Sequence, residues 1–193
     1  MTIEGYGGFR FGMSLTDALA LTRADLFNPA GLSDCFADMP TEGCFLPPSE
    51  DTSLFEMKAG IPYSLTLQFS KFDRLTDIQL GYHREGEIDR AQCLEIYERT
   101  IDWLAAEYGP IKDSQRLEGD QFENHVTPGG IPHRIGVTED RFFVGNVERS
   151  FAGDRKLWPF ATYIEVDGKP YCRVDANFSD EHLAPPNETP SPE

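Results

Sequence analysis

Two neighbouring runs of residues alternate strictly between apolar and polar side chains, and this pattern constrains the fold more than any other feature of the chain. The apolar positions of the two runs are Tyr63, Leu65, Leu67 and Phe69, then Ile78, Leu80 and Tyr82. Because successive side chains of a strand point to opposite faces, each run buries one face. A turn at 71–74 separates the runs. The sequence therefore predicts a hairpin in an antiparallel sheet with one buried face.

A helix is predicted over 89–108. Asp89 and Gln92 have the spacing of a capping box, and Gly109 and Pro110 provide the stop. Apolar side chains recur at spacings of three and four along it: Cys93, Leu94, Ile96, Tyr97, Ile101, Trp103, Leu104 and Tyr108. They form one broad apolar stripe, which favours a helix that packs along the sheet.

The remaining elements are shorter. A strand at 8–11 precedes a helix that begins after Ser14, with Asp17 three residues later, and ends before Pro29. Short apolar and aromatic runs predict strands at the following ranges: 134–138, 141–147, 161–166 and 171–178. Asp167 and Gly168 between the last two runs predict a hairpin turn. This order predicts an α+β fold, with an antiparallel sheet of hairpins covered on one side by two helices.

The length of 193 residues fits one domain, which we place at 1–183. The element order also allows two helix-then-strands halves, at 8–83 and 88–178. The last ten residues, 184–193, contain four prolines and no apolar periodicity, so they are predicted to be a disordered, acidic tail.

The net charge of −16 arises from 33 acidic and 17 basic residues. Such a charge argues against a protein that grips nucleic acid or an anionic membrane surface. No apolar run reaches the length of about 18 residues that a transmembrane helix needs. The first residues lack the basic and apolar pattern of a leader, so we expect a cytoplasmic protein, or a periplasmic one if a leader has been removed.

The chain has four cysteines. Cys35 and Cys44 lie in an irregular segment, 28–53, and their spacing allows a small disulfide loop. In a reducing cytoplasm they would be free thiols, so both states stay open. Cys93 and Cys172 fall in a predicted helix and a predicted strand, and both are interpreted as small buried hydrophobic residues.

No catalytic or metal-binding motif is present, and we expect no enzyme activity, no cofactor and no metal. His125 and His133 are the one pair that invites acid–base or metal chemistry, with Asp120 and Glu123 nearby. Eight positions separate them without a third ligand at a characteristic spacing. We therefore interpret them as two imidazoles of a surface loop.

An aromatic cluster precedes and enters the last hairpin. Its members are Trp158, Phe160, Tyr163 and Tyr171. Aromatic residues are enriched where binding energy concentrates in protein interfaces, so the cluster is a candidate partner surface. Closing the end of the sheet is an equally good explanation.

The stretch 9–19, Phe-Arg-Phe-Gly-Met-Ser-Leu-Thr-Asp-Ala-Leu, resembles the start of bacterial helix-plus-sheet modules. These are modules of the β-lactamase-inhibitory-protein and outer-membrane-assembly-lipoprotein kind, and immunity proteins look similar. In the inhibitory protein a cysteine pair follows that helix and closes a loop, and Cys35 and Cys44 occupy comparable places. The resemblance implies a module whose sheet face or loop clasps a protein partner, without catalytic residues.

These observations together predict a non-enzymatic inhibitor or immunity-type protein that neutralises a bacterial toxin or enzyme. An acidic surface speeds the encounter with a basic partner. The expected contacts are acidic loop residues and the aromatic cluster: Asp38, Glu42, Glu50, Asp51, Trp158, Phe160, Tyr163 and Tyr171. The alternative is a periplasmic or envelope module, or an accessory subunit of a larger bacterial or phage assembly.

Overall fold

The computed structural model describes residues 3–21, 44–46, 56–70, 72–109, 121–138, 141–144, 149–151 and 155–183. Within them lie two helices and twelve strands, numbered here in chain order. The helices are α1 (Leu15–Leu21) and α2 (Arg90–Tyr108). The strands before α2 are β1 (Gly5–Tyr6), β2 (Phe9–Arg10), β3 (Cys44–Leu46), β4 (Glu56–Lys58), β5 (Ile61–Phe69) and β6 (Leu75–Glu85). Those after it are β7 (Gln121–Val126), β8 (Pro132–Thr138), β9 (Arg141–Val144), β10 (Arg149–Phe151), β11 (Arg155–Val166) and β12 (Lys169–Asp180).

Ten strands form one sheet in which every pairing is antiparallel. Its order is β3, β5, β6, β12, β11, β9, β8, β7, with β4 paired to β5 and β10 paired to β11. The predicted α+β class with an antiparallel sheet is thereby confirmed. Strands from both predicted halves join this one sheet, since β6 pairs with β12 over nine residues, while β1 and β2 form a separate two-stranded sheet.

Helix α2 packs against β11 and β12 and covers one face of the sheet, which we call the inner face. Its capping box is present, since the side chain of Asp89 accepts from the amide of Gln92, whose side chain accepts from the amide of Asp89. The buried residues of α2 meet alternate residues of the strands, including Ile78, Leu80, Leu157, Ala161, Val174, Ala176 and Phe178. This apolar layer is the core of the molecule.

The N-terminal hairpin of β1 and β2 closes one end of the core. The ring of Tyr6 lies 6.3 Å from that of Trp103 and 5.2 Å from that of Phe178. At the start of α1, the hydroxyl of Ser14 accepts from the amide of Asp17, as the predicted cap requires. The later part of the predicted first helix, after Leu21, lies outside the described residues.

The sequence analysis treated the segment 121–133 as a loop, and the structure corrects this interpretation. It contributes β7 and the start of β8, and His125 stands directly opposite His133 across this hairpin. The apolar alternation of 121–126 is weak because β7 lies at the edge of the sheet and exposes Glu123, Asn124 and Val126.

Strand β11 begins earlier than predicted, at Arg155, and runs through Pro159. A proline interrupts most strands because it has no amide hydrogen to donate. Along one edge of β11, β10 pairs up to Leu157 and β9 pairs from Ala161, so Pro159 stands opposite the gap between two described partners. The strand continues through the proline because β12 pairs with it along its whole length.

Cys93 and Cys172 are buried, as expected, but the prediction of two separate hydrophobic residues is wrong. They form a disulfide whose Cα atoms are 5.8 Å apart, between α2 and β12. The pair could not be predicted from the sequence, because the two residues are separated by 79 positions and only the packing of α2 on β12 brings them together.

Within the described ranges, no helix has the length and apolar character needed to cross a membrane. The predicted disordered tail, 184–193, lies outside the described residues.

Candidate functional site

The face of the sheet opposite α2, which we call the outer face, carries aromatic side chains. In β11, Trp158 and Phe160 alternate with the buried Leu157 and Ala161, so their side chains point away from α2. Both side chains are partly buried. The outer face therefore presents aromatic rings at the centre of the sheet, next to β12.

Register places the polar residues of β12 beside these rings. Asn177 pairs with Trp158, Asp175 with Phe160, and Tyr171 with Ile164. The amide group of Asn177 donates to the carbonyl of Trp158 at 3.3 Å. Three of the four predicted aromatic residues, Trp158, Phe160 and Tyr171, thus share the outer face.

Tyr163 is the exception. It lies on the inner face, is 6% exposed, and its ring stacks on that of Phe142 at 5.7 Å. Its hydroxyl donates to Glu165, and burial raises its pKa. Tyr163 packs in the core and is not part of the outer face.

A fully buried carboxylate lies in the middle of the outer face. Asp175 is 0% exposed, and each of its two carboxylate oxygens faces a different side chain. The guanidinium of Arg173 donates at 2.6 Å, and Nε2 of His83 lies at 3.3 Å. Arg173 also lies over the ring of Phe160, 5.1 Å from its centroid. The buried acid is thus tied directly to the aromatic surface.

Gly81 makes room for this arrangement. A Cβ atom at position 81 would lie 3.0 Å from Oδ1 of Asp175, 3.1 Å from Nε2 of His83 and 3.5 Å from Oγ of Ser64. Contacts this short would push the two side chains apart. A Cβ atom at this position would therefore require Asp175 or His83 to move by a few tenths of an ångström.

Ser64, His83 and Asp175 are the residue types of a hydrolytic triad, but their geometry differs from one. The hydroxyl of Ser64 donates to the carbonyl of Gly81 at 2.9 Å. In a triad the acid and the serine use different nitrogens of the histidine. Here the acid faces Nε2 of His83 at 3.3 Å, and the Ser64 hydroxyl uses a backbone carbonyl and not the ring. The arrangement is therefore not that of a triad.

A second polar cluster lies between α2 and the β7–β8 hairpin, and we call Glu98, His125 and His133 the histidine cluster. His133 is 2% exposed, so the interpretation of two surface imidazoles is wrong for this residue. His133 is buried because its ring packs edge-on against Tyr97, with the centroids 5.6 Å apart. Glu98 lies 3.9 Å from His125 and 3.8 Å from His133.

These separations bear on metal binding. Two ligands of one Zn²⁺ ion, each about 2.0–2.1 Å from it, are roughly 3.3 Å apart in a tetrahedral site. The two distances from Glu98 exceed that value. Across the described ranges, no three histidine, cysteine or acidic side chains are placed to hold a metal ion.

A cleft of about 270 Å³ opens between β6 and the first half of α2. Its charged lining is mixed, with Arg84 and Arg99 facing the same space as Glu87 and Glu95. Arg99 and Glu95 pair with each other at 3.9 Å. This balance of charge does not select a class of ligand.

The predicted acidic contacts cannot be placed against the outer face. Asp38, Glu42, Glu50, Asp51 and the cysteine Cys35 lie outside the described residues, and Cys44 is described only by its backbone in β3. Their roles, and a Cys35–Cys44 disulfide, stay predictions.

The sequence analysis missed His83, Glu98, Arg173 and Asp175. A signal for two of them was present, because in β12 polar residues occupy every second position of a strand whose other positions are apolar. The pairing partners of that strand are distant in sequence, so the cluster itself was not visible. Comparisons of the chain with models of protein families, with curated proteins and with solved structures gave no match.

Proposed function

We propose that the chain is a non-enzymatic protein-binding module of the inhibitor or immunity type, which uses the outer face of its sheet to hold a partner. The observation that carries this proposal is the set of partly buried aromatic side chains, Trp158, Phe160 and Tyr171, around the ion pair of Arg173 with the buried Asp175. Rigid aromatic residues around fixed polar groups are typical of the residues that dominate binding energy in interfaces.

The charge of the chain supports a basic partner. With 33 acidic and 17 basic residues, the surface attracts cationic proteins over a distance set by the ionic strength. The acidic loop residues Asp38, Glu42, Glu50 and Asp51 are proposed to supply the charged part of the contact. The outer face would supply the apolar part.

An envelope module is the second candidate, and the Cys93–Cys172 disulfide favours it. Buried structural disulfides persist in oxidising compartments and are rare in a reducing cytoplasm. An inhibitor that meets its target in the periplasm would satisfy both ideas. Reactivity of the thiols in protein taken directly from the source cells would distinguish the compartments.

The experiment is capture of a partner from an extract of the source cells, with the folded chain as bait and elution in steps of salt. A matched bait carries Asp38→Asn, Glu42→Gln, Glu50→Gln and Asp51→Asn, which removes charge and keeps the size of each side chain. We expect one basic protein that leaves the wild-type bait only at high salt. The variant should release the same protein at lower salt.

Two results would count against the proposal. If no protein is retained specifically, the binding function loses its support. If the retained protein leaves both baits at the same salt concentration, the four acidic residues do not belong to the contact.

A further inference from the structure

The histidine cluster brings one carboxylate oxygen to two imidazole rings. Oε1 of Glu98 lies 3.9 Å from Nδ1 of His125 and 3.8 Å from Nε2 of His133. The side chain of His133 is fully buried, and those of Glu98 and His125 are 17% and 27% exposed. The three groups therefore interact where little water screens them.

The opposite nitrogen of each ring identifies where its proton sits. Nδ1 of His133 lies 3.4 Å from the carbonyl of Ile131, and Nε2 of His125 lies 3.2 Å from Oε2 of Glu123. Hydrogen bonds from His125 and Arg90 lower the pKa of Glu123, so this carboxylate is ionised. A carbonyl and an ionised carboxylate only accept hydrogen bonds, so both of these ring nitrogens carry a hydrogen.

A neutral imidazole has a single proton, so the two nitrogens that face Glu98 are bare. An ionised Glu98 would then stand against two lone pairs in a poorly hydrated place. One added proton, on the carboxyl group or on a ring, turns this repulsion into an attraction. Burial raises the pKa of Glu98, a protonated His125 would lower it, and the charges of Asp102 and Glu95 raise it further.

The other charged groups that the structure describes around the cluster have partners of their own. On α2, Arg90 donates to Glu123, and Asp102 accepts from Thr127 and from the amide of Gly129. Glu95 pairs with Arg99. Burial raises the pKa of the Tyr97 phenol, so Tyr97 stays neutral beside His133.

We propose that Glu98, His125 and His133 bind one shared proton, and that this proton holds the β7–β8 hairpin on α2. When the proton is bound, the hairpin is docked. As the pH rises and the proton leaves, the contact between Glu98 and the rings becomes repulsive and the hairpin loosens. The cluster lies on the inner face, so this inference does not depend on the proposed function of the outer face.

The test uses the full chain, the variant Glu98→Gln and the control Glu87→Gln, which removes an exposed acid next to the same helix. A glutamine amide donates a hydrogen bond to a bare ring nitrogen without taking up a proton. Amide hydrogen exchange of 121–138, corrected for intrinsic rates, is measured from about pH 5 to about pH 8. The ring nitrogens of the histidines are assigned by NMR in the wild type.

We expect exchange in the wild-type hairpin to become faster with rising pH, by about tenfold for each unit by which docking shifts the proton affinity. Glu98→Gln should keep the hairpin protected at every pH, and Glu87→Gln should behave like the wild type. In the wild type, His133 should carry its proton on Nδ1 and His125 on Nε2.

Either of two results would overturn the proposal. One is a pH dependence of exchange in Glu98→Gln that equals that of the wild type. The other is the reverse tautomer on either histidine near neutral pH, which needs no variant and so remains decisive if Glu98→Gln fails to fold.

Discussion

One buried side chain between α2 and the sheet, that of Tyr63, is expected to lower the stability of the fold at alkaline pH. Tyr63 is 0% exposed, its hydroxyl meets Oγ1 of Thr100 at 2.5 Å, and burial raises its pKa to about 12. In the unfolded chain the phenol ionises near its ordinary value of about 10. The stabilising effect is thus complete below about pH 10 and is lost as the pH rises towards 12.

We therefore expect the free energy of unfolding to fall by about 2–3 kcal/mol more in the wild type than in Tyr63→Phe between about pH 9.5 and 12. Urea unfolding at a series of pH values measures both curves. If the free energy of unfolding falls equally in the two proteins over this pH range, Tyr63 is not responsible for the fall.

A second residue-scale prediction concerns the turn of the β7–β8 hairpin. The amide of Gly129 donates to Asp102 at 2.8 Å, and a Cβ atom on Gly129 would collide with that carboxylate. We expect Gly129→Ala to cost about 1–3 kcal/mol of stability. In an Asp102→Ala background the same change should cost much less, because the colliding group is gone. Equal costs in both backgrounds would refute the collision, and thermal unfolding of the four chains gives the comparison.

At the scale of elements, the disulfide fixes α2 to the central strand β12. It closes a loop of 79 positions, so its loss gives the unfolded chain much conformational freedom. We expect the double variant Cys93→Ala, Cys172→Ala to lose about 2–5 kcal/mol of stability. The free energy of unfolding of both proteins, measured in urea without reductant, checks this value, and a loss below about 1 kcal/mol would show that packing alone holds the helix.

Elements with a strong local signal could be predicted from the sequence, and those that depend on distant partners could not. The hairpin of β5 and β6 and the helix α2 were predictable because each has a strong local period and, in α2, a capping box at Asp89. The partners of β12 and the Cys93–Cys172 bond were not, because they depend on long-range pairing. Strand β7 was missed because an exposed edge strand has little apolar alternation, and β11 was shortened because Pro159 hides its continuity.

The candidate site follows the same division. Trp158, Phe160 and Tyr171 were found from composition, since clustered aromatic residues are visible in the sequence. The face of the sheet on which each ring lies could not be predicted, because it depends on the residue at which β11 begins. This is why Tyr163, an odd-numbered neighbour in the same strand, lies in the core.

At the scale of the whole molecule, we propose that an acidic chain uses the aromatic outer face of its sheet to hold a protein partner. The most direct measurement is the dissociation constant of the captured partner for the wild type, Trp158→Ala, Phe160→Ala and the control Phe72→Ala. Phe72 is also aromatic and is 68% exposed at the turn between β5 and β6. Thermal unfolding first establishes that all four chains are equally stable. We then predict that Trp158→Ala and Phe160→Ala each weaken binding by about tenfold or more, while Phe72→Ala leaves it unchanged. Equal affinities in all four chains would contradict a binding site on the outer face.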